Sequence, residues 1–244
     1  RGDRSNERAN TTIGSTAALY RVRAGVLGDI INGAPRYVSK PDFGYSDAGY
    51  TDFVRNNRNR KPMIYVAAND GMLHAISADT TDGGTELWAY VPTTVMPNLY
   101  RLADSNYANK HNYMVDGAPV VGDIYVGNAW KTILVGGMGK GGRGYYALDI
   151  TDPQNPRSLW EFTDDNLGLT FGNPVITKRA DGTWIVAFAS GYNNVSPGDG
   201  VGRLFVLNAN TGVRARTDIS TGVGSTSAPS GLSKVNGWID QESD

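Results

Sequence analysis

The chain has 244 residues, of which 40% are hydrophobic and 19% are charged, a composition that can build a core and excludes a fully disordered chain. Its 23 basic and 24 acidic residues leave a formal net charge of −1. Such a balance excludes strong long-range attraction to nucleic acid or to an anionic membrane surface.

Cysteine and glycine usage both narrow the fold class. The chain has no cysteine, which excludes disulfides, thiolate catalysis and cysteine-ligated zinc. It has 31 glycines, above the usual share of about 7%, together with 13 tyrosines and 5 tryptophans. Glycine turns between aromatic and β-branched segments are typical of a protein with many short strands. No apolar run reaches the roughly 18 residues that a membrane-spanning helix needs.

A proline motif recurs along the chain. In chain order it is Gly33-Ala34-Pro35, Gly117-Ala118-Pro119, Gly172-Asn173-Pro174 and, more weakly, Ser227-Ala228-Pro229. The last three prolines, at positions 119, 174 and 229, are 55 residues apart, whereas the first precedes the second by 84 residues. The regular interval indicates a structural repeat, and the longer gap predicts an insertion in the first unit.

Each repeat contains the same succession of strand candidates. Two apolar segments separated by a turn are followed by a third segment with a Leu-Trp-x-aromatic pattern. These are residues 63–66, 73–76 and 87–90 in the first unit, 132–135, 145–149 and 159–162 in the second, and 184–188, 204–208 and the weak match Val213 in the third. Together with the proline motif, this spacing predicts four strands per unit.

Units of this size and strand content are typical of an all-β fold of the β-propeller type. One four-stranded sheet cannot bury both of its faces, so such sheets must stack around an axis. The aromatic side chain of each Leu-Trp-x-aromatic segment would then fill the space between neighbouring sheets. A β-sandwich would not produce the constant interval between prolines.

The repeat also predicts the domain organisation of residues 1–244 as one partial propeller. Residues 1–26 form a lead-in, and roughly four blades follow from residue 27 onward. Residues 93–112 are expected to form an inserted loop with a helical turn, and the basic run 55–61 a solvated loop. Since no closing element follows the fourth motif, we expect an internal fragment with further blades beyond it.

Four stretches carry a resemblance to a known family. They are LGDIINGAP at 27–35, KPMIYVAANDGMLHA at 61–75, GGRGYYALD at 141–149 and FASGYNN at 188–194. In combination they resemble the type IV pilus tip and biogenesis proteins of the PilY1/PilC family, over nearly the whole chain. The resemblance implies a quinoprotein-like propeller of seven blades, in the C-terminal half of a longer protein.

The same resemblance implies a function without catalysis. Members of that family reach the cell surface through the periplasm and act at the pilus tip or outer membrane. They oppose pilus retraction, support twitching motility and contribute to attachment to surfaces or host cells. The implied partners are minor pilins, the pilus machinery and a host-cell receptor, with no nucleic acid and no membrane span.

Three acidic residues near the end of the sequence match the start of the family's calcium loop. That loop has the form Asp-x-Asp-x-Asp-x-x-x-Asp, and Asp240, Glu242 and Asp244 occupy its first three acidic positions, with Glu in place of the middle Asp. Alternating oxygens suit calcium, which takes six to eight oxygen ligands. Because only the first half of the loop is present, we expect weak calcium binding or none, and the alternative is a solvated acidic tail.

The sequence begins with an integrin-type tripeptide, Arg1-Gly2-Asp3. A glycine between Arg and Asp can present the two opposite charges together, so these residues are a candidate receptor-binding site. The family shows such a tripeptide before its propeller. The alternative is a loop with only a structural role.

Other site candidates are weaker. Residues 137–142 fit the Gly-x-Gly-x-x-Gly spacing of a dinucleotide site, but the following residues predict a strand instead of the required helix, so they are interpreted as a hairpin. His74 and His111 are the only histidines, and neither has an acidic residue at a metal-ligand spacing. Residues 193–199 could form an oxygen-rich loop, although a long hairpin turn is favoured.

An alternative function uses a related propeller. Quinoprotein dehydrogenases bind pyrroloquinoline quinone and calcium in a tryptophan-containing propeller. The chain has no adjacent cysteine pair and no evident catalytic acid beside a cofactor-stacking tryptophan. The pilus function is therefore favoured, with the dehydrogenase left open.

Overall fold

The computed structural model of the chain describes residues 3–5, 7 and 20–237. Within them, 12 strands form three four-stranded antiparallel sheets, so the predicted all-β propeller architecture is confirmed. The first sheet contains β1 (Arg36–Val38), β2 (Met63–Ala68), β3 (Met72–Ser77) and β4 (Glu86–Tyr90). The second contains β5 (Val120–Val126), β6 (Ala129–Gly137), β7 (Tyr145–Asp149) and β8 (Arg157–Phe162), and the third contains β9 (Val175–Lys178), β10 (Trp184–Ala189), β11 (Arg203–Asn208) and β12 (Ile219–Ser220). In each sheet the strands pair in chain order.

The recurring proline stands immediately before the first strand of each sheet. Pro35 precedes β1, Pro119 precedes β5 and Pro174 precedes β9. Proline has no N–H to contribute to a ladder and a fixed φ, so it suits the position where a strand begins. The 55-residue interval from Pro119 to Pro174 is therefore the length of one sheet with its connections.

The fourth motif, around Pro229, is followed by no strand within the described residues up to 237. Its backbone nevertheless attaches to the connection between β10 and β11. The Ser230 N–H donates to the Gly200 carbonyl at 2.9 Å, and the Gly191 N–H donates to the Leu232 carbonyl at 2.7 Å. The segment around Pro229 thus comes after the third sheet in the chain and is bonded to it. The segments around Pro119 and Pro174 likewise come after the first and second sheets.

The weak match at Val213 is not a strand. The fourth strand of the third sheet is Ile219–Ser220, which pairs with β11. Val213 lies in the turn after β11, where its carbonyl accepts the Asn208 N–H at 2.7 Å and its side chain is 65% exposed. A single exposed valine carries no alternation, so periodicity could not locate the true strand.

Two insertions distinguish the first sheet from the others. Between β1 and β2 the chain forms helix α1, Tyr50–Asn56, whose Tyr50 and Phe53 are buried. Between β4 and β5 it forms 3₁₀ helices at Thr93–Ala103 and Tyr107–Asn109, in the interval where the sequence predicts an insertion.

The basic run 55–61 differs from the predicted solvated loop. Its first residues complete α1, and the side chain of Arg60 is half-buried. Arg60 donates from Nη1 to Thr132 Oγ1 at 2.6 Å and from Nε to the Ser39 carbonyl at 2.5 Å. Thr132 in turn donates to the buried carboxylate of Asp123 at 2.6 Å. A positive charge that looks like part of a surface run is therefore used inside the protein, beside a buried acid.

The second sheet is buried on both faces, as a blade between two others must be. Along β6, Leu134 packs in one hydrophobic cluster with the first sheet, whereas Ile133 packs in another with the third sheet. On β7 the same alternation places Tyr146 toward the first sheet and Tyr145 toward the third. Each such side chain contributes roughly 1.5–3 kcal/mol through burial, so stacking the sheets supplies the stability that a single sheet lacks.

The tryptophans of the Leu-Trp-x-aromatic segments lie between neighbouring sheets, as predicted. Trp88 on β4 donates from Nε1 to the Pro153 carbonyl, in the connection between β7 and β8, at 2.7 Å. Trp160 on β8 makes the equivalent bond to the Ala209 carbonyl, in the connection between β11 and β12, at 2.9 Å. Each ring thus contributes apolar packing while its N–H is satisfied by the following sheet.

Candidate functional site

The segments that lead into each first strand pass over the turns between second and third strands. We call residues 27–34 the first lead-in, residues 167–173 the third lead-in, and residues 69–71 the first turn. Polar side chains concentrate where the first lead-in meets the first turn and the approach to β5. This group, the polar clasp, consists of Asp29, Asn32, Asn69, Asp70, His74, His111 and Asp116.

Asp70 joins the first turn to the first lead-in. Its carboxylate accepts the Gly28 N–H at 2.8 Å and the Met72 N–H at 3.2 Å, the latter across the tight turn itself. A Cβ on Gly28 would lie 2.2 Å from the Asp70 nitrogen. Glycine is therefore required for the lead-in to approach the turn this closely.

His74 on β3 lies between two carboxylates. Its Nε2 is 3.0 Å from an Asp70 oxygen and its Nδ1 is 2.8 Å from a Glu86 oxygen, and the residue is only 2% exposed. A neutral imidazole can donate from only one nitrogen, so both bonds require the protonated ring. Burial lowers the pKa of His74, but the hydrogen bonds and charges of Asp70 and Glu86 outweigh it and raise that pKa above 6.5.

Asp29 connects the first turn to the insertion before β5. Its Oδ2 accepts from Asn69 Nδ2 at 2.8 Å and its Oδ1 contacts His111 Nε2 at 2.9 Å. Asn69 Oδ1 then accepts the Met114 N–H at 3.0 Å. Burial raises the pKa of Asp29, but the bonds from Asn69 and His111 outweigh it and lower the pKa below 3.8. The charged carboxylate is therefore the form that this arrangement stabilises.

Asn32 and Asp116 connect the first lead-in directly to the segment that leads into β5. Asn32 donates to the Asp116 carboxylate from its backbone N–H at 3.1 Å and from Nδ2 at 2.7 Å. Asp116 is 1% exposed, so these bonds replace its hydration. Each of the two residues stands three positions before the proline of its motif, Pro35 or Pro119. Equivalent positions of neighbouring repeats thus bond to each other.

Among the residues that the structure describes, no charged side chain bonds to the third lead-in. The Gly168 N–H donates to the Ser190 carbonyl at 2.7 Å. Leu169 and Tyr192 exchange main-chain bonds of 2.7 and 3.1 Å. The first and third lead-ins therefore occupy comparable places with different chemistry.

The predicted calcium ligands Asp240, Glu242 and Asp244 lie outside the described residues, as do Arg1 and Gly2 of the tripeptide. Asp3 is described and exposed; its carboxylate accepts the Ser5 N–H at 2.8 Å, a bond that lowers the pKa of Asp3. Arg23 donates to the Asp3 carbonyl at 2.6 Å. A cavity of about 270 Å³ opens beside Asp3 and is lined also by Glu7, Tyr20, Arg21, Arg23, Leu102 and Ala103.

The oxygen-rich loop 193–199 lies in the connection between β10 and β11. The guanidinium of Arg143 donates to the carbonyls of Val195 at 2.8 Å, Asn193 at 2.9 Å and Ser196 at 3.3 Å. The loop's Asp199 is paired with Arg203 through two bonds of 2.6 Å. Arg143 thus already bonds the carbonyl oxygens of this hairpin connection, and Arg203 bonds its carboxylate.

The glycine-rich residues 137–142 connect β6 to β7, and the strand Tyr145–Asp149 follows them. Within the described part of the chain, no group of three or more histidine, cysteine or acidic side chains is arranged to hold a metal ion. Nor does any helix there have both the length and the apolar character needed to cross a membrane.

The polar clasp was missed because most of its contacts join residues that are at least 40 positions apart. The sequence analysis considered acidic partners of the histidines only at metal-ligand spacings, whereas the structure pairs His74 with two carboxylates and His111 with one. Glu86 reaches His74 because the pairing of β3 and β4 shifts at a bulge between Ala75 and Ile76. The one local signal was an Asn-Asp-Gly turn immediately before a strand that contains a histidine.

Comparison with known proteins places these features in context. A family model described as "PilY1 beta-propeller domain" matches residues 27–244. The chain is 40% identical to a type IV pilus biogenesis factor PilY1 homolog of Xylella fastidiosa, over 99% of this chain and 19% of that protein. It is 36% identical to the type IV pilus biogenesis factor PilY1 of Pseudomonas aeruginosa strain PAK, over 96% of this chain and 20% of that protein.

Among solved structures, the chain is similar to the crystal structure of the Pseudomonas aeruginosa PilY1 C-terminal domain. The TM-score is 0.65 and the sequence identity 32%, over 81% of this chain and 39% of that chain. The chain thus spans about a fifth of the length of the curated relatives it matches, which are 19% and 20% covered.

Proposed function

Because the chain belongs to the family of PilY1 β-propeller domains, we propose that it is the propeller region of a type IV pilus biogenesis factor without catalytic activity. The observation that carries the proposal is the family match over residues 27–244, together with the fold similarity to a PilY1 C-terminal domain. The relatives' names describe pilus biogenesis, and each carboxylate of the polar clasp is hydrogen-bonded to another side chain of the clasp, as in a structural element.

The protein acts at the cell surface, at the pilus tip or outer membrane, after passage through the periplasm. There it supports pilus extension against retraction, and with it twitching motility and attachment to surfaces or host cells. Minor pilins and the pilus machinery are its partners. Exposed apolar side chains near the lead-in support protein contact at this end of the sheets: Val22 is 55%, Leu27 51%, Ile31 54% and Tyr100 71% exposed.

The role in extension is tested by deleting residues 27–237 from the whole protein in a piliated bacterium and counting surface pili. We expect few pili while the retraction motor is present and a normal number once that motor is removed. Pili that are equally abundant in both strains would contradict the proposed role. Pili that stay absent without the motor would indicate a function in assembly alone.

Calcium control is proposed at Asp240, Glu242 and Asp244, from the family's loop pattern. Oxygens at alternate positions suit a hard cation, and occupancy of the loop would shift contacts with the pilus machinery. Calorimetry on the whole protein should show that Asp240→Ala removes calcium binding. Asp52→Ala is the matched control, because the Asp52 side chain is 63% exposed on α1 and is not one of the three proposed ligands. Equal calcium affinity in both variants would refute the site.

Receptor binding is proposed at Arg1, Gly2 and Asp3. The Asp3 carboxylate is exposed and accepts the Ser5 N–H, which leaves oxygen lone pairs for a receptor or its metal ion. Adhesion of the whole protein to immobilised integrin should fall when Asp3 is replaced by Ala. Ser5→Ala is the control, since it keeps the backbone N–H that bonds Asp3. Unchanged adhesion of Asp3→Ala would contradict this role.

A further inference from the structure

His74 combines three properties that no requirement of sheet packing explains. It is buried, it stands on a strand whose neighbours Leu73 and Ala75 form the hydrophobic core, and both of its ring nitrogens contact carboxylates. An apolar residue would fill the same place without the cost of burying a charge. The ring is instead held in the one protonation state that satisfies both acids.

The carboxylates that contact His74 come from two elements of the first sheet. The first turn contributes Asp70 and β4 contributes Glu86, whereas the residues paired with His74 on β2 and β4 are Val66 and Ala89. In the first lead-in and the insertion before β5, Asp29 and His111 contact each other and Asp29 also bonds Asn69, the neighbour of Asp70, while burial together with the charges of Asp29 and Asp70 raises the pKa of Tyr107. Among the described residues, Asp70 and Glu86 alone contact the ring directly.

Asp70 transmits the state of His74 to the chain outside the sheet. The same carboxylate that contacts His74 accepts the Gly28 N–H at 2.8 Å. When the ring loses its proton, one of its nitrogens turns a lone pair toward a carboxylate, and the attraction becomes repulsion. Water can replace the bond to Glu86, whose side chain is 50% exposed, but Asp70 is only 11% exposed, so water can replace the Asp70 bond only if the turn or the lead-in moves.

We propose that the His74 imidazolium, held between Asp70 and Glu86, is a proton-operated latch that fastens residues 27–34 to the first turn and releases them as the pH rises. The direction of the pH dependence follows because only the protonated ring of His74 can bond both carboxylates. Below the ordinary pKa of histidine, about 6.5, the latch is closed. It opens as the pH passes the higher pKa of the folded protein. The segment that it frees carries the exposed side chains of Leu27, Ile30 and Ile31, so release changes the surface offered to a partner.

The latch is tested by hydrogen–deuterium exchange with mass spectrometry on the intact protein, from about pH 6 to about pH 9, after correction for the intrinsic pH dependence of exchange. Residues 27–34 should lose protection by about tenfold across this range, the equivalent of one charge-assisted hydrogen bond. The third lead-in, residues 167–173, is the internal control, because main-chain bonds hold it. It should show no such change.

Three variants separate the latch from other causes. His74→Gln should leave residues 27–34 weakly protected at every pH, while continued protection of β6 and β10 shows that the sheets remain folded. Glu86→Gln, at a side chain that is 50% exposed, should move the transition to lower pH. His111→Gln should keep the wild-type response. The latch is overturned if His74→Gln retains the transition, if His111→Gln abolishes it, or if the third lead-in opens in parallel.

Discussion

The first and third lead-ins solve one structural problem in two ways. Each carries the chain across the connection between the second and third strands of a sheet and into the first strand of that same sheet. The first lead-in does so with charged and amide side chains, among them Asp29, Asp70 and Asp116. The third does so with a backbone bond from Gly168 to Ser190 and a pair of backbone bonds between Leu169 and Tyr192. Repeats with the same backbone can therefore differ in their response to pH and salt.

Both lead-ins share a requirement for glycine at close approach. A Cβ on Gly33 would lie 2.4 Å from the Ala67 carbonyl oxygen, and a Cβ on Gly168 would lie 2.1 Å from the Tyr192 carbonyl oxygen. Neither glycine has a positive φ. At these two positions a larger residue is excluded by lack of space and not by backbone conformation. Both lead-ins therefore require a residue without a side chain, although different hydrogen bonds hold each of them.

The largest loss of stability is expected at the glycines that both lead-ins require. Gly33→Ala and Gly168→Ala should each destabilise the protein by about 2–4 kcal/mol, because a methyl group cannot be accommodated against a backbone carbonyl without moving the segment. Chemical denaturation measures this. Gly25→Ala is the control, since a Cβ there would meet no atom within 4 Å in the part of the chain that the structure describes. A loss at Gly25 equal to that at Gly33 would show that glycine is needed for another reason.

The next effect should appear only in the first lead-in. Asp116→Ala removes a carboxylate that is 1% exposed and leaves two Asn32 donors without a partner, at a cost of about 1–3 kcal/mol. Asn32→Ala and the double variant complete a thermodynamic cycle measured by denaturation. If the two single losses simply add, the contact contributes nothing, and the contrast between the lead-ins is weaker than the geometry indicates.

At alkaline pH the contacts of the first lead-in should contribute about 1 kcal/mol less to the free energy of unfolding, the scale of one hydrogen bond. The contribution of the third lead-in should not change. The raised pKa of His74 means that its contribution is complete below pH about 6.5 and is lost as the pH rises through the folded value. Denaturation midpoints measured against pH should therefore fall on the alkaline side in the wild-type protein and stay level in His74→Gln. A parallel decline in both proteins would assign the loss to other groups.

The smallest effect is expected at the surface of the third sheet. Arg203 lowers the pKa of Asp199, so any contribution of this pair is present above the ordinary pKa of aspartate and is lost as the pH falls. The Asp199 side chain is 51% exposed, and salt screens such pairs. Asp199→Asn should give a denaturation midpoint close to wild type, and equal to it in high salt. A loss larger than that of Asp116→Ala would reverse the comparison.

Much of the architecture was readable in the repeat. The prolines marked where the first strands begin, and the Leu-Trp-x-aromatic segments predicted side chains that join neighbouring sheets, which Trp88 and Trp160 do. The exception was the third unit, where the strand lies at Ile219–Ser220 and not at Val213. Two residues are too few to show alternation, so pattern could not find them.

The amino-acid sequence by itself determined the all-β repeat, because strand alternation, turn glycines and proline positions are local properties of the chain. Only the tertiary structure decided which polar groups meet. Asp70 and Gly28 are 42 residues apart, and Asn32 and Asp116 are 84 apart. Their contacts exist because stacked sheets bring separate segments to one end, where a buried charge must find a partner. The same stacking places Arg60 beside a buried acid, whereas the tight turn and the strand pairing within the first sheet place His74 between two carboxylates.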